Sequence, residues 1–316
     1  MTSGILRSLG DSKTPVVFLV LASLVNIVLD LVLIIYAGMD VAGAAVATAV
    51  SQLLAGIGCL IVMIRRFPIL KLTKEDRRFS MRRGRSMLGI GLPMGLQFSI
   101  TAIGSVMVQW SVNGLGVNSV AAVSAAFKLS MFFCCVFDAL ASTMATFAGQ
   151  NIGARKLDRV RQGMRAASAV GLIYCGLAFG VVLLFGDKML GLFIDSGENA
   201  EVMGLAFRFL KINAAFYIPL LYVNILRLCI QGMGYTRVAM FAGLAEMLAR
   251  TIVALFVVPA AGFMGACFAN PAAWVMADLF LFPCYFKLVK SLHGRLLPTL
   301  EADDPEKGKV IALKSA

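Results

Sequence analysis

The chain has 316 residues, of which 59% are hydrophobic and only 15% charged, with a mean hydropathy of +0.86. That composition excludes an ordinary soluble core, and several apolar runs reach the roughly 20 residues needed to cross a bilayer's hydrocarbon layer. The net charge of +12 would suggest nucleic acid as a partner for a soluble protein. Here the basic residues fall between apolar runs, so lipid headgroups and membrane orientation account for them and nucleic acid is not expected.

No alternating pattern of the kind a membrane β-barrel requires runs through the chain. The expected fold class is therefore an all-α polytopic membrane protein with its backbone polarity satisfied inside helices. Cys59, Cys134, Cys135, Cys175, Cys229, Cys267 and Cys284 all lie in apolar runs, no CxxC pair occurs, and His293 is the one histidine. Neither a zinc site nor a disulfide framework is expected, and the thiols read as buried small apolar residues. The opening TSGILRSLGDSKTP lacks the charged and apolar regions of a signal peptide.

Hydropathy predicts eight transmembrane helices, at roughly 15–37, 43–64, 87–111, 120–146, 166–186, 202–226, 238–260 and 263–286. Segment 65–86 carries Arg65, Arg66, Lys71, Lys74, Arg77, Arg78, Arg82, Arg83 and Arg85, and segment 148–165 carries Arg155, Lys156, Arg159, Arg161 and Arg165. The tail adds Lys287, Lys290 and Arg295, whereas AGMDVAG, VNGLGVNS and PAAGFMG contain no Lys or Arg. GDKMLGLFIDSGENAE has one lysine against four acids. Basic and non-basic loops alternate without a break, which predicts that both termini are cytoplasmic.

The chain also echoes itself. Gly10 set against Gly234 aligns LRSLGDSKT with IQGMGYTRV, and Gly43 against Gly265 aligns VAGAAVAT with FMGACFAN. One short gap reconciles the two registers. The first and second spans thus repeat as the seventh and eighth in the same orientation, as expected for a six-span unit repeated in parallel. Residues 1–66 would be the last two spans of a first lobe, 67–86 a basic inter-lobe loop, 87–287 a complete second six-helix lobe and 288–316 a cytoplasmic tail. On that reading four spans, roughly 140 residues, belong upstream of Met1, and the 316-residue chain alone is expected to be an inactive fragment.

LRSLGDSKTP leading into NIVLDLVLI, then GMDVAGAAVATAVSQ, resembles the multidrug and toxic compound extrusion (MATE) family. GQNIGARKLDRVRQGMRAA, IQGMGYTRVA and the GLP of Gly91 to Pro93 resemble it too. The resemblance covers residues 1–290 and implies a cation-coupled antiporter whose two six-helix lobes are related by a pseudo-twofold axis along the membrane normal. Such a protein exports organic, often cationic, compounds through a central cleft by alternating access, with H⁺ or Na⁺ as the coupling ion and no further cofactor. It is expected to work as a monomer when full length.

Asn26 and Asp30 stand four residues apart, on one helix face, with Asp30 about midway along the first span. A carboxylate there is expensive and is a functional-site candidate by default, because a shielded carboxyl poised between charge states can take up and release a proton or a hard cation. Thr48 offers a hydroxyl at similar depth in the second span. The resemblance implies that Asn26, Asp30 and Thr48 form the amino-terminal-lobe cation site, which in the family also uses an acidic residue on its first helix. The competing reading is that Asp30 pairs with a polar group for structural reasons.

Glu246 and Arg250 have the same four-residue spacing in the seventh span and read as an internal ion pair, positional or cleft-lining. By the repeat, Arg250 stands in the place of Asn26 and Ala254 in that of Asp30. Asp138 and Asp278 are further intramembrane carboxylates, each expected to face a cavity or a partner, with Lys128 a candidate partner for Asp138. Where some family members carry acids on the third and sixth spans, this chain has Gln97, Thr101, Gln109 and Asn224. Gln97, Thr101, Trp110, Tyr217 and Asn224 are the expected cleft lining, with Phe98, Met107, Phe127, Met131, Phe216 and Tyr222 as further aromatic and sulfur candidates. Pro93 and Pro219 each remove a helix hydrogen bond and mark either hinges or static kinks. A lipid-linked saccharide flippase of the same superfamily is the alternative function. An enzyme is not expected, since no span holds a histidine, HExxH or GxSxG.

Overall fold

The computed structural model describes residues 2–70, 80–194 and 200–302, all of them helical or in short connections. The basic residues Lys71, Lys74, Arg77 and Arg78, the acidic stretch 195–199 and the tail from 303 lie outside the described residues. Among the described residues seven helices are long and apolar enough to cross a membrane, or eight spans if one bent pair counts as one. The chain divides into two compact units, Met1–Gly84 and Arg85–Ala316.

In the first unit, a short helix α1 (Thr2–Ser8) leads into α2 (Lys13–Asp30), which continues as a π-helical stretch, Leu31–Tyr36. Helix α3 (Asp40–Arg66) returns antiparallel to it. Lipid tails are as apolar as leucine, so hydrophobicity alone does not press two such helices together; close approach through small residues does. On α3 the buried residues are Gly43, Ala47, Ser51 and Cys59, a stripe of small side chains at helical spacing. Gly58 extends it: a Cβ there would lie 2.1 Å from the Phe18 ring of α2. Asp11 fixes the entry to α2, since Oδ1 accepts the Thr14 backbone N–H at 3.0 Å and Oδ2 accepts the Thr14 hydroxyl at 2.7 Å. Arg66 at the end of α3 stands 3.6 Å from the same carboxylate.

The second unit holds most of α4 (Met81–Asn113), then α5 (Val117–Gly153), α6 (Leu157–Leu190), α7 (Ala200–Ala215) and α8 (Tyr217–Gly232). It ends with α9 (Thr236–Ile252), a π-helical stretch Val253–Val257, the short α10 (Val258–Ala261) and α11 (Phe263–Ala302). Helix α4 begins at Met81, so Arg82, Arg83 and Arg85 ride on its first turns rather than in the predicted loop. Helix α5 is central, packing on α6, α7 and α8 through Ala122, Ala126, Leu129, Phe133, Phe137, Ala141, Met144 and Ala148, all buried. Helices α7 and α8 form one span bent by 54° at Phe216. Pro219, in the first turn of α8, has no N–H for the carbonyl of Ala215, where α7 ends. Pro93, by contrast, sits inside α4 without interrupting it.

The two occurrences of the repeated motif have the same local backbone. Gly10 and Gly234 share φ values of 92° and 94°, and Gly38 and Gly262 share 63° and 60°. Asp11 N–H reaches the Leu6 carbonyl as Tyr235 N–H reaches that of Ile230, the helix-ending bond around a left-handed residue. Gly43 approaches Leu33, and Gly265 approaches Val257. The gap between the two registers therefore falls after Gly38 and Gly262, where AGMDVAG is two residues longer than AGFMG. Each first helix also widens into a π-helical stretch before that turn.

Candidate functional site

Asn26 and Asp30 lie on one face of α2, both half-buried, and Asp30 is the last residue before the helix widens. Asp30 Oδ1 and Asn26 Nδ2 are shielded from solvent and have no hydrogen-bond partner among the described residues. An orphaned carboxylate oxygen in a span is what a proton or a hard cation satisfies. The Asn26 amide nitrogen is a donor and does not fit a cation, but rotating the amide brings its oxygen to the same place. Thr48 is exposed on α3, and no hydrogen bond joins it to either residue among the described ones. The structure therefore keeps two of the three predicted ligands on one face, and among the described residues no hydrogen bond joins Thr48 to them.

The second unit has a larger polar cluster. Glu246 (2% exposed) is held between two arginines: Arg227 of α8 is in direct contact with Oε1, and Arg250 stands 3.7 Å from Oε2. Arg250 also donates to the Thr101 carbonyl of α4 at 3.4 Å. Gln231 of α8 donates to Gln97 Oε1 of α4, both side chains buried. Asp278 of α11, buried and with Oδ1 unpartnered among the described residues, lies within electrostatic reach of Arg227. Close approach of α4 and α9 assembles this cluster: a Cβ on Gly104 would lie 3.1 Å from Met247 Cα, and one on Gly243 3.0 Å from Gln97 Cγ. One step further along, the Ser111 hydroxyl donates to the Ala254 carbonyl at 3.1 Å, at the residue that the repeat aligns with Asp30.

The expected Glu246–Arg250 pair is thus a triad whose closer partner, Arg227, the sequence reading missed. Hydropathy ended the sixth span at 226, whereas α8 runs on to Gly232 and carries Arg227 and Gln231 into the interior. The pairing expected for Asp138 does not form. Both it and Lys128 are exposed on α5 without an ion pair among the described residues, and ten residues of helix separate them by roughly 15 Å.

The predicted cleft lining divides. Gln97 is buried in the cluster, and Thr101 contributes its carbonyl there. Trp110 is exposed on α4. Asn224 donates back to the Leu220 carbonyl of its own helix at 3.1 Å. Tyr217 is a correction: at 1% exposure it is core, packed edge-on against Phe137 and near Phe133, and borders only a cavity of about 100 Å³. Its place at the start of α8, inside the bend, turns it inward. Cys135 is exposed, unlike the burial expected for the thiols. Among the described residues no three His, Cys, Asp or Glu side chains gather closely enough to hold a metal ion.

Comparison with known proteins places this geometry. The MatE family profile matches residues 93–256, more than half of the chain. Probable multidrug resistance protein YoeA of Bacillus subtilis (strain 168) is 26% identical over 221 residues, covering 67% of this chain and 47% of that protein. Probable multidrug resistance protein YpnP of the same organism is 31% identical over 226 residues, 70% of this chain and 48% of that protein. The chain thus spans about half the length of these curated relatives. A solved structure described as MATE in the bent conformation superposes with a TM-score of 0.83 at 20% identity, covering 94% of this chain and 66% of that one, a likeness of fold.

Proposed function

The chain belongs to the MATE family, and on that premise we propose that it serves efflux of organic, often cationic, compounds across the cytoplasmic membrane in exchange for H⁺ or Na⁺. The observation that carries this reading is the shielded carboxylate oxygen of Asp30, unpartnered among the described residues, within a span. The Asp30 carboxylate binds a cation, or is neutralised by a proton, where water is scarce. Relieved of it, the same carboxylate attracts a cationic substrate, so the two occupants exclude each other. Alternation of that site between the two sides of the membrane turns this competition into antiport. Two relatives named as probable multidrug resistance proteins support the substrate class.

The architecture we propose is two six-helix lobes, with the first and second spans closing one and the third to eighth forming the other. The matching glycines and π-helical stretches of the two span pairs support it. The distribution of Lys and Arg supports cytoplasmic termini. A saccharide flippase would call for a cationic interior. In the second unit both buried arginines are engaged by Glu246, which favours the antiporter.

The test is efflux of a fluorescent cationic dye from cells producing the full-length protein, as the proposed pair of six-helix lobes requires. Asp30→Asn keeps the shape and removes the charge, so it is expected to abolish ion-driven efflux at unchanged membrane abundance. Undiminished efflux by that variant would refute the coupling role.

A further inference from the structure

Away from both polar clusters, the second unit has a groove of about 900 Å³ between α6 and α11, with α8 as its floor. Helices α6 and α11 barely touch each other, and both pack on α8, so the groove is open along its length. Its body is apolar and aromatic: Tyr222 and Phe282 have ring centroids 5.1 Å apart on its floor and wall, and Phe286 stands exposed on the α11 side. Arg161, Arg165 and Lys290 gather at one end, and no acidic side chain lines the groove.

That end is the start of α6 and the late part of α11, where the chain changes from apolar to basic. Asp158 holds Arg161 at 3.5 Å, an exposed pair that binds weakly and is readily exchanged for another anion. Arg165 and Lys290 have no ion-pair partner among the described residues. From Arg161 the lining continues along α6 to Leu172, a rise of roughly 16 Å, about half the hydrocarbon thickness of a bilayer. A free anion would satisfy only the basic end and leave the aromatic trough bare. A neutral lipid would fill the trough and leave Arg165 and Lys290 unmatched.

We propose that this groove is a binding site for one anionic phospholipid, with its phosphate held by Arg161, Arg165 and Lys290 and an acyl chain lying over Tyr222 and Phe282. The site is of ordinary ligand-pocket volume and its recognition is electrostatic at the rim and apolar below. It rests on the membrane-spanning character of the chain and not on ion coupling at Asp30, so either can fail without the other.

The experiment uses the purified 316-residue chain, stripped of lipid in an uncharged detergent. It is titrated with phosphatidylglycerol, phosphatidylcholine or inorganic phosphate, with thermal midpoint and retained lipid by native mass spectrometry as readouts. Phosphatidylglycerol is expected to raise the midpoint saturably and to be retained as one copy, with phosphatidylcholine and phosphate ineffective. Arg161→Gln with Arg165→Gln should weaken that response tenfold or more. Ala169→Trp, which fills the groove from α6 and leaves all charges in place, should abolish it. Leu184→Trp, exposed elsewhere on α6, should not, and the two tryptophan variants decide the matter if the arginine variant fails to fold. An equal response to phosphatidylcholine or to phosphate overturns the proposal. So does unchanged phosphatidylglycerol binding by Ala169→Trp, or occupation of the groove by a second copy of the chain.

Discussion

Arg227 and Glu246 meet side chain to side chain from adjacent helices, α8 and α9, in the interior of the second unit. Two charges withdrawn from water are tolerated only with close partners and further hydrogen bonds. The surrounding groups supply the close partners, since Arg250 flanks Glu246 on its other oxygen and is itself tied to the Thr101 carbonyl. The Nε atoms of Arg227 and Arg250, however, have no hydrogen-bond partner among the described residues. The cluster is a buried polar joint between α4, α8 and α9, with Asp278 of α11 beside Arg227.

Removing its central anion should therefore be costly. Glu246→Gln leaves two buried guanidiniums facing each other, and the expected loss of stability is about 3–5 kcal/mol. Thermal unfolding of purified protein in detergent measures it. A midpoint within a degree of the wild type would show that the joint contributes nothing to the fold.

Gly232 closes α8 where a Cβ would lie 2.2 Å from the Ala145 carbonyl oxygen of α5, with Ala145 Cα at 2.9 Å. Backbone cannot step aside as a side-chain tip can. Gly232→Ala should force α5 and α8 apart and destabilise the second unit by about 1–3 kcal/mol or more. Gly176→Ala, with nothing within 4 Å of the new methyl, is the matched control and should be neutral or slightly stabilising through helix propensity. Equal behaviour of the two variants would remove close packing as the reason for the glycine.

Asp11 has its carboxyl held below the usual carboxylate value, chiefly by the Thr14 hydroxyl, then by the Thr14 N–H, with the Arg66 charge helping. A group whose folded pKa lies below its unfolded one stabilises the fold above the unfolded value, near 3.8, and loses that effect as pH falls through the lower folded value. Asp11→Asn should thus melt earlier than the wild type at pH 7, with the gap narrowing below that pH region. Thermal midpoints across the acid range check the sign, and a gap that widens on acidification would contradict it.

Much of the helix layout is legible in the sequence, and for a definite reason. Long apolar runs with basic ends have one physical solution in a bilayer, and the glycines at Gly10, Gly38, Gly234 and Gly262 mark the turns because their positive φ excludes most other residues. The faces are much harder to read. When lipid and protein interior are equally apolar, hydropathy does not say that Tyr217 turns inward while Trp110 stands exposed. Only small residues betray a contact, as Gly104 and Gly243 do, and they do so by what they lack. Arg227 was hidden because hydropathy treats an arginine as the end of a span, whereas here a glutamate on the next helix admits it to the interior. Asn26 and Asp30 were the reverse case. Their spacing placed them on one face, while Thr48 could be matched to them only by depth.

The 54° bend at Phe216 makes α8 a lever whose fulcrum is the end of α7. Its 16 residues give an arm of roughly 24 Å, so ten degrees of straightening would sweep the far tip by roughly 4 Å. That tip is Gly232, wedged against Ala145. Partway along the arm, Arg227 is clamped to Glu246. The span is therefore pinned at two points beyond its fulcrum. A stroke of α8 that kept both contacts would carry α5 and α9 with it.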